Sequence, residues 1–362
     1  MSDYKFEGWC GLDSNAASGN MQWQEYQPKP WTEDDVDIRI THCGMCASDL
    51  IFLRTPWAPD PYPCVVGHEI VGKAIRVGQN IKHIKEGDRV GVGPQASACL
   101  EPDCFACADG VENYCPRPEH VGTFGGRLPD GSRSYGGYAK YNRTPGHFVF
   151  EIPDKLNSHH AAPALCAGVT VYSALKHESV AGKKVGVVGL GGLGHFAVLF
   201  AKAMGAAHVV VISRSSSKKD DATQLGADDF LATSEEKAWH TPAGRLADRL
   251  DLIISTVASP GMPLAGYLSL LAFEGTIVQL GASVEPLPGF PPFLLMRKRN
   301  KIVGSAIGAP EEIRETLELM AEHNIRPWVE KHSMRDANEA LKDLAHGSAR
   351  YRYCLVDEKP TE

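Results

Sequence analysis

Residues 184–205 read KVGVVGLGGLGHFAVLFAKAMG. A short apolar run leads into a glycine motif at 189–194, and a helical segment at 196–204 ends before Gly205. A β-rich run at 208–212 follows. A G-x-G-x-x-G motif between a strand and a helix indicates a dinucleotide site, because the free N–H groups of the helix N-terminus bind the pyrophosphate.

Each glycine of the motif has an expected task. Gly189 permits the tight turn, Gly191 lets the backbone approach the pyrophosphate, and Gly194 lets helix and strand pack closely. The alternative is a glycine-rich turn in some other βαβ protein. The predicted dinucleotide loop consists of Gly189, Leu190, Gly191, Gly192, Leu193 and Gly194.

The residues after the second strand predict which dinucleotide binds. An NAD site usually places Asp or Glu there to hold the ribose 2′-hydroxyl. This chain has the run SRSSSK at 213–218, with no acidic residue until Asp220. Hydroxyls and cations suit a phosphate dianion, so we predict NADP(H), although the run could also be an ordinary solvated loop. The predicted contacts are Ser213, Arg214, Ser215 and Lys218.

Composition limits the class of protein. The chain has 362 residues, 43% hydrophobic and 22% charged, with a net charge of −7, which argues against nucleic acid as a partner. No apolar run approaches the roughly 20 residues of a membrane span, and no secretory signal is evident. We therefore expect a cytoplasmic protein, and its ten cysteines indicate thiolate chemistry such as metal binding rather than disulfides.

Two domains are expected. Residues 1–163, rich in glycines and short valine runs, predict a compact β-rich domain. Residues 164–309 alternate strand and helix candidates, which predicts a doubly wound parallel sheet of the α/β class. The segment 310–362 carries two further helices, the second with a predicted capping box at 336–339, and is expected to complete the first domain.

Four cysteines lie close together in the first domain, with the spacing C-x4-C-x2-C-x7-C. Four thiolates can close a tetrahedral zinc shell and leave no open position, which predicts a structural role. Disulfides, reactive thiols and an iron–sulfur centre are alternatives; nothing else suggests electron transfer, so structural zinc is favoured. The predicted ligands are Cys99, Cys104, Cys107 and Cys115.

Cys46, His68 and Cys166 form a second candidate metal set. Two cysteines and one histidine with an open fourth position are a known catalytic zinc set. Separations of 22 and 98 residues cannot show that the three converge. Each also has a structural interpretation, since buried cysteine packs as a small hydrophobe.

Several motifs together resemble those of the zinc-dependent medium-chain alcohol dehydrogenases, and most of all the cinnamyl alcohol dehydrogenase branch. The similarity runs along essentially the full length. It rests on CGMCASD (43–49), GHEIVG (67–72), the four-cysteine lobe with ENYC (112–115), LCAGVTVYSAL (165–175), GLGGLGH (189–195) and SRSSSK (213–218), which we call the serine–lysine run. The resemblance implies a GroES-like catalytic domain joined to a Rossmann domain.

The resemblance also implies residue roles. Cys46, rather than Cys43, would bind catalytic zinc with His68 and Cys166, and Glu69 would be an occasional ligand. Asp49 would orient the histidine, and Ser48 would hydrogen-bond the substrate oxygen. A second zinc would occupy the lobe. Thr170 would approach the nicotinamide, with Gly281 and Ser305 completing the predicted cofactor site.

The substrate pocket is predicted to include Trp57, Leu53 and Phe290, and an aromatic wall would favour flat, bulky aldehydes. Core packing is the alternative for Trp57. The function expected is NADPH-dependent reduction of aromatic or medium-chain aliphatic aldehydes to primary alcohols. Oxidation of polyols or secondary alcohols and a non-catalytic NADPH-binding zinc protein are the alternatives. Family resemblance implies a homodimer joined through the nucleotide-domain sheets.

Two departures from the family pattern stand out. The lobe usually begins C-x2-C, whereas four residues separate Cys99 from Cys104 here. The residue two after Asp49 is often a histidine that ends a proton relay, and here it is Ile51. Because an isoleucine cannot carry a proton, the proton is expected to leave through water or another group.

Overall fold

The computed structural model describes residues 4–55, 60–283 and 285–357. The chain divides into two compact units, the first built from 1–169 and 308–362 and the second from 170–307. The sequence-based boundaries lie at 163/164 and 309/310, a few residues from these divisions. No helix in the described part of the chain is long and apolar enough to cross a bilayer.

The strands of the described residues are numbered in chain order. Those of the first unit are β1 (Glu7–Gly11), β2 (Gln22–Glu25), β3 (Asp35–Met45), β4 (Cys64–Val65), β5 (Ile70–Val77), β6 (Arg89–Val92), β7 (Gln95–Ser97), β8 (Val121–Gly122), β9 (Tyr141–Pro145), β10 (Phe150–Glu151), β17 (Val329–Ser333) and β18 (Arg352–Val356). Those of the second unit are β11 (Lys184–Val188), β12 (His208–Ser213), β13 (Asp229–Ala232), β14 (Leu250–Ser255), β15 (Leu271–Gln279) and β16 (Lys301–Gly304).

The α-helices are α1 (Ala47–Arg54), α2 (Phe105–Ala108), α3 (Ser158–Pro163), α4 (Val169–His177), α5 (Gly194–Ala203), α6 (Lys219–Gln224), α7 (Leu264–Leu270), α8 (Phe293–Met296), α9 (Pro310–Glu322) and α10 (Ala337–Ala345). A π-helix, Ala164–Gly168, joins α3 to α4. Short 3₁₀ turns occupy Ser14–Ser18, Glu112–Tyr114, Gly146–Phe148, Ser216–Lys218 and Met334–Asp336.

The main sheet of the first unit has the strand order β10-β6-β5-β3-β18-β17, and β9 also pairs with β3. β3 is buried on both faces over its first half: Val36, Ile38 and even Asp37 are fully buried. The alternation of apolar and polar residues at 36–40 predicts a half-buried strand, and this prediction is wrong, because Asp37 is neutralised by Arg143, whose Nε lies 2.6 Å from its Oδ1. β18, from the C-terminal segment, pairs antiparallel with β3, so this segment completes the sheet.

The second unit is a six-stranded parallel sheet in the order β13-β12-β11-β14-β15-β16. Counted along the unit, this is the 3-2-1-4-5-6 order of a Rossmann fold, whose strand order reverses between β11 and β14. The doubly wound prediction is therefore confirmed. β11 and β12 are buried valine and isoleucine runs, typical of parallel strands covered on both faces.

The C-terminal helices are partly as predicted. Pro310 opens α9, and Ile313, Leu317 and Met320 are buried along one face. The capping box predicted at the start of the last helix is wrong. Asp336 accepts no capping hydrogen bond, because the chain first makes a 3₁₀ turn in which Ser333 accepts from the N–H of Arg335.

Candidate functional site

One ligand atom from each of Cys46, His68, Glu69 and Cys166 lies within 4.8 Å of all the others; we call these four residues the Cys46 cluster. Cys46 directly follows β3 and is the N-cap of α1. His68 and Glu69 immediately precede β5, and Cys166 lies in the π-helix. All four belong to the first unit. The convergence that residue spacing could not show is thus present, and His68 Nε2 lies 3.1 Å from Cys166 Sγ.

Asp49 is fully buried in α1 and fixes the geometry of the Cys46 cluster. Its Oδ1 lies 3.0 Å from His68 Nδ1, and its Oδ2 accepts a 2.9 Å hydrogen bond from the Cys46 N–H. An imidazole that donates Nδ1–H to a carboxylate keeps the lone pair of Nε2 free for a metal. Ser48 is half-buried beside the cluster, with its Oγ 3.6 Å from Cys46 Sγ.

The pKa shifts within the Cys46 cluster run in opposite directions: hydrogen bonding with Cys46, together with burial, raises the pKa of Cys166 well above its usual value. Hydrogen bonding from Cys166 and the nearby His68 lower the pKa of Cys46 well below its usual value, although burial opposes this. Burial raises the pKa of Glu69 to about 7 against the opposing charge of Arg352. Glu69 Oε2 is buried and accepts no hydrogen bond from the described residues. Two sulfurs and an imidazole nitrogen make a donor set that fits zinc with one position open.

Sequence reasoning missed two residues of this site, Tyr138 and Arg352. Tyr138 donates from its hydroxyl to Asp49 Oδ2 over 3.0 Å, and Arg352 forms a buried ion pair with Glu69. Neither stands next to a ligand in the sequence. The glycine pair before Tyr138 was the available signal, because paired glycines mark close backbone approach.

The four cysteines of the lobe also converge. One sulfur from each of Cys99, Cys104, Cys107 and Cys115 lies within 4.8 Å of the others, and the thiols are free rather than disulfide-bonded. The longer first spacing is accommodated by Leu100, which takes a φ of 54°. Burial raises the pKa of Cys115, but the backbone N–H groups of Cys99 and Arg117 outweigh it and lower the value to about 7. A closed four-sulfur shell fits structural zinc.

The glycine motif of the second unit has the expected geometry. Gly189 takes a φ of 86°, and a Cβ on Gly194 would lie 1.9 Å from the carbonyl oxygen of Gly189. A Cβ on Gly191 would meet no atom within 4 Å, so this position faces open space where a pyrophosphate could lie. The helix that follows, α5, begins at Gly194.

The serine–lysine run follows β12, whose last residue is Ser213. Arg214 and Ser215 are exposed. Lys218 Nζ donates to the carbonyl oxygen of Leu190 over 2.6 Å, which links this run to the glycine loop. Glu235 accepts from both the N–H and the hydroxyl of Ser216, at 2.8 and 3.1 Å, and so holds the run in place.

The remaining predicted residues are distributed over both units. Thr170 is buried in α4, Gly281 follows β15, and Ser305 follows β16 and donates its N–H to Gln279. Leu53 is fully buried in the core of the first unit, which does not favour a role in a substrate channel. Phe290 packs partly buried against the core of the second unit. Trp57 lies outside the described residues.

Comparisons with known proteins agree with this architecture. A family model described as "Alcohol dehydrogenase GroES-like domain" matches residues 32–154, and one described as "Zinc-binding dehydrogenase" matches residues 192–322. A probable mannitol dehydrogenase of Mesembryanthemum crystallinum is 40% identical over 351 residues, covering 96% of this chain and 93% of the relative. Cinnamyl alcohol dehydrogenase 3 of Arabidopsis thaliana is 41% identical over 352 residues, covering 96% and 90%.

Solved structures are similar over almost the whole chain. A cinnamyl alcohol dehydrogenase from Sorghum bicolor superposes with a TM-score of 0.89 at 35% identity, covering 99% of this chain and 100% of the other. An enzyme of the same name from Helicobacter pylori, solved with NADP(H), gives 0.87 at 32% identity, covering 99% of each chain. The chain belongs to the zinc-dependent medium-chain alcohol dehydrogenase family, in its cinnamyl alcohol dehydrogenase-like branch.

Proposed function

We propose that this alcohol dehydrogenase uses NADPH to reduce aldehydes, aromatic ones such as cinnamaldehyde or medium-chain aliphatic ones, to primary alcohols in a reversible reaction. The observation that carries the proposal is the convergence of Cys46, His68 and Cys166 beside the hydroxyl of Ser48. The first unit would be the catalytic domain, and the second would bind the dinucleotide.

The residues of the Cys46 cluster would hold a catalytic zinc, with Glu69 as an occasional fourth ligand. When bound, zinc supplies Lewis-acid polarisation of the substrate oxygen, and NADPH supplies the hydride. Ser48 would donate a hydrogen bond to that oxygen and deliver the proton that the alcohol product needs. Asp49 would keep His68 in the tautomer that leaves Nε2 free. A second zinc in the four-cysteine lobe would be structural.

The preference for NADPH is supported by the run after β12. Ser213, Arg214, Ser215 and Lys218 would contact the 2′-phosphate, and of these Arg214 and Ser215 present an exposed guanidinium and an exposed hydroxyl. The glycine loop would bind the pyrophosphate, and Thr170, Gly281 and Ser305 would lie along the nicotinamide half of the cofactor.

A polyol dehydrogenase acting oxidatively is the second candidate. Two relatives that are 40% identical to this chain are named probable mannitol dehydrogenases. The serine–lysine run argues for the reductive direction, because NADPH is the dinucleotide whose phosphate it would bind.

We further propose a cytoplasmic homodimer. β16 is an edge strand of the six-stranded sheet, and edge strands offer unpaired N–H and C=O groups to another chain. Phe273, Phe293 and Met296 are large apolar side chains that are more than 60% exposed, at 69%, 67% and 71%. Two segments, 276–280 and 301–305, are candidates for the contact. The first lies largely within β15, which is inside the sheet, so the edge strand at Lys301–Gly304 is the better candidate.

The deciding experiment is the initial rate of NADPH oxidation with cinnamaldehyde, run beside NADH and repeated after a strong zinc chelator. Fast, NADPH-selective and chelator-sensitive turnover would support the zinc, the phosphate contacts and the aldehyde class together. An equal rate with NADH would contradict the role of Arg214. If cinnamaldehyde gave no rate but mannitol was oxidised, the hypothesis of a polyol dehydrogenase would be favoured.

A further inference from the structure

Tyr138 reaches the Cys46 cluster through Asp49. Its side chain is fully buried, and its hydroxyl donates to Asp49 Oδ2 over 3.0 Å. The same oxygen accepts the Cys46 N–H, while Oδ1 meets His68 Nδ1 at 3.0 Å and the Gly67 N–H at 3.2 Å. Two carboxylate oxygens thus accept four hydrogen bonds, one of which comes from a metal ligand's ring and one from a metal ligand's backbone.

The ring and backbone of Tyr138 hold the same segment from the other side. Its N–H donates to the Val66 carbonyl over 3.0 Å, and the Gly137 N–H donates to the Gly67 carbonyl over 2.8 Å. Gly67 takes a φ of 100°, and a Cβ there would lie 2.6 Å from Tyr138 Cδ1. The ring therefore packs directly against the residue that precedes His68.

We propose that Tyr138 is a positioning residue, whose hydroxyl fixes the Asp49 carboxylate and thereby aims His68 Nε2 at the sulfurs of Cys46 and Cys166. The terminal torsion of an aspartate has a broad energy profile, so its orientation is set by its partners. The hydroxyl of Tyr138 is the one side-chain donor to Oδ2 among the described hydrogen bonds of Asp49. This inference rests on the proposed zinc at the Cys46 cluster.

The test is the zinc affinity of metal-free protein carrying Tyr138→Phe, which removes the hydroxyl and keeps the ring. Zinc is titrated against a chromophoric chelator, and cobalt absorption assigns each binding step by the number of thiolates bound. Mutating a residue that hydrogen-bonds a metal-ligating histidine typically lowers the metal affinity 10–100-fold. Tyr138 acts on His68 only through Asp49, so we expect an effect at the lower end of this range. The dissociation constant for zinc at the Cys46 cluster should rise about 10-fold.

Two controls, a second metal site and a second tyrosine variant, show whether the effect is specific to the Cys46 cluster. The four-cysteine lobe, titrated in the same sample, should keep its affinity. Tyr26→Phe is the matched control, because Tyr26 is also a buried tyrosine of the first unit, and its hydroxyl donates to the Tyr141 carbonyl over 2.8 Å. It should leave both metal sites unchanged.

A double-mutant cycle with Asp49→Asn separates positioning from packing. If the hydroxyl acts through Asp49, Tyr138→Phe should change the affinity much less in the Asp49→Asn background than in the wild type. The inference would be overturned if the two substitutions changed the dissociation constant independently of each other, or if Tyr138→Phe left it unchanged. It would also be overturned if Tyr138→Phe weakened zinc binding at the four-cysteine lobe by the same factor. A wild-type protein that binds zinc at the lobe alone would instead refute the proposed catalytic zinc.

Discussion

Arg352 and Glu69 form an ion pair that is sealed inside the first unit. The two side chains are 6% and 0% exposed, and they come from positions 283 residues apart in the chain. A buried charge that loses its partner is strongly destabilising, by about 3–5 kcal/mol. The pair therefore links the C-terminal strand to the Cys46 cluster both energetically and spatially.

We predict that Arg352→Met lowers the free energy of unfolding of the metal-free protein by about 3–5 kcal/mol, as measured by urea denaturation. The double variant Arg352→Met/Glu69→Gln should recover most of this loss, because no unpaired charge remains. A double variant as unstable as the single one would show that packing of Arg352, rather than its charge, matters.

The preference for NADPH should depend on Arg214. A hydrogen bond to a charged group contributes about 1.5–3 kcal/mol, so Arg214→Ala should raise KM for NADPH roughly 10- to 100-fold and leave KM for NADH unchanged. Lys219→Ala is the matched control, since it removes an exposed cation just beyond the run. If Arg214→Ala raised KM equally for NADPH and NADH, this would count against a contact between Arg214 and the 2′-phosphate.

Removing one cysteine ligand of the four-cysteine lobe should release the zinc of the lobe and lower the stability of the protein. The Cys46 cluster should keep its zinc. Cys107→Ala should lower the zinc content by about one equivalent per chain and lower the melting temperature, as measured by elemental analysis and calorimetry. Cys64→Ala removes a buried thiol outside both metal clusters and should keep the full zinc content. An unchanged zinc content in Cys107→Ala would contradict the lobe assignment.

Ile51 gives a direct test of the proton route. It lies on α1 and is 37% exposed, so a polar side chain there can reach solvent. Ile51→His should raise turnover in the pH range where proton release limits the rate, because an imidazole can carry a proton near neutral pH. Ile51→Asn, polar but not titratable, should not do so. Identical pH–rate profiles for all three proteins would mean that this position takes no part.

Stability should fall on mild acidification because of His42 and His160. Burial, with neighbouring cations and His159 contributing, lowers the pKa of each to about 4. The unfolded chain, with values near 6.5, then binds more protons, so stability falls as the pH drops from about 6.5 to 4. Replacing both with Gln should flatten the dependence of the urea midpoint on pH, whereas the exposed His323→Gln should not.

Local patterns predicted the nucleotide-binding unit well, because strand, glycine turn and helix follow one another within residues 184–205. The four-cysteine lobe was predictable for the same reason. The partners Tyr138 and Arg352 were not, since each meets its carboxylate only after distant strands have paired. The capping box predicted at Asp336 failed because a local 3₁₀ turn at Ser333 offered the backbone another partner.

The pairing of β18 with β3 has a consequence for the order of events during synthesis. Residues 170–307 form a continuous unit that can fold as soon as they leave the ribosome, as domains generally do. The other unit must wait, because β18 inserts between β3 and the edge strand β17. Until Arg352 has been translated, Glu69 lacks its ion-pair partner, so the buried charge of the first unit is neutralised only late in synthesis.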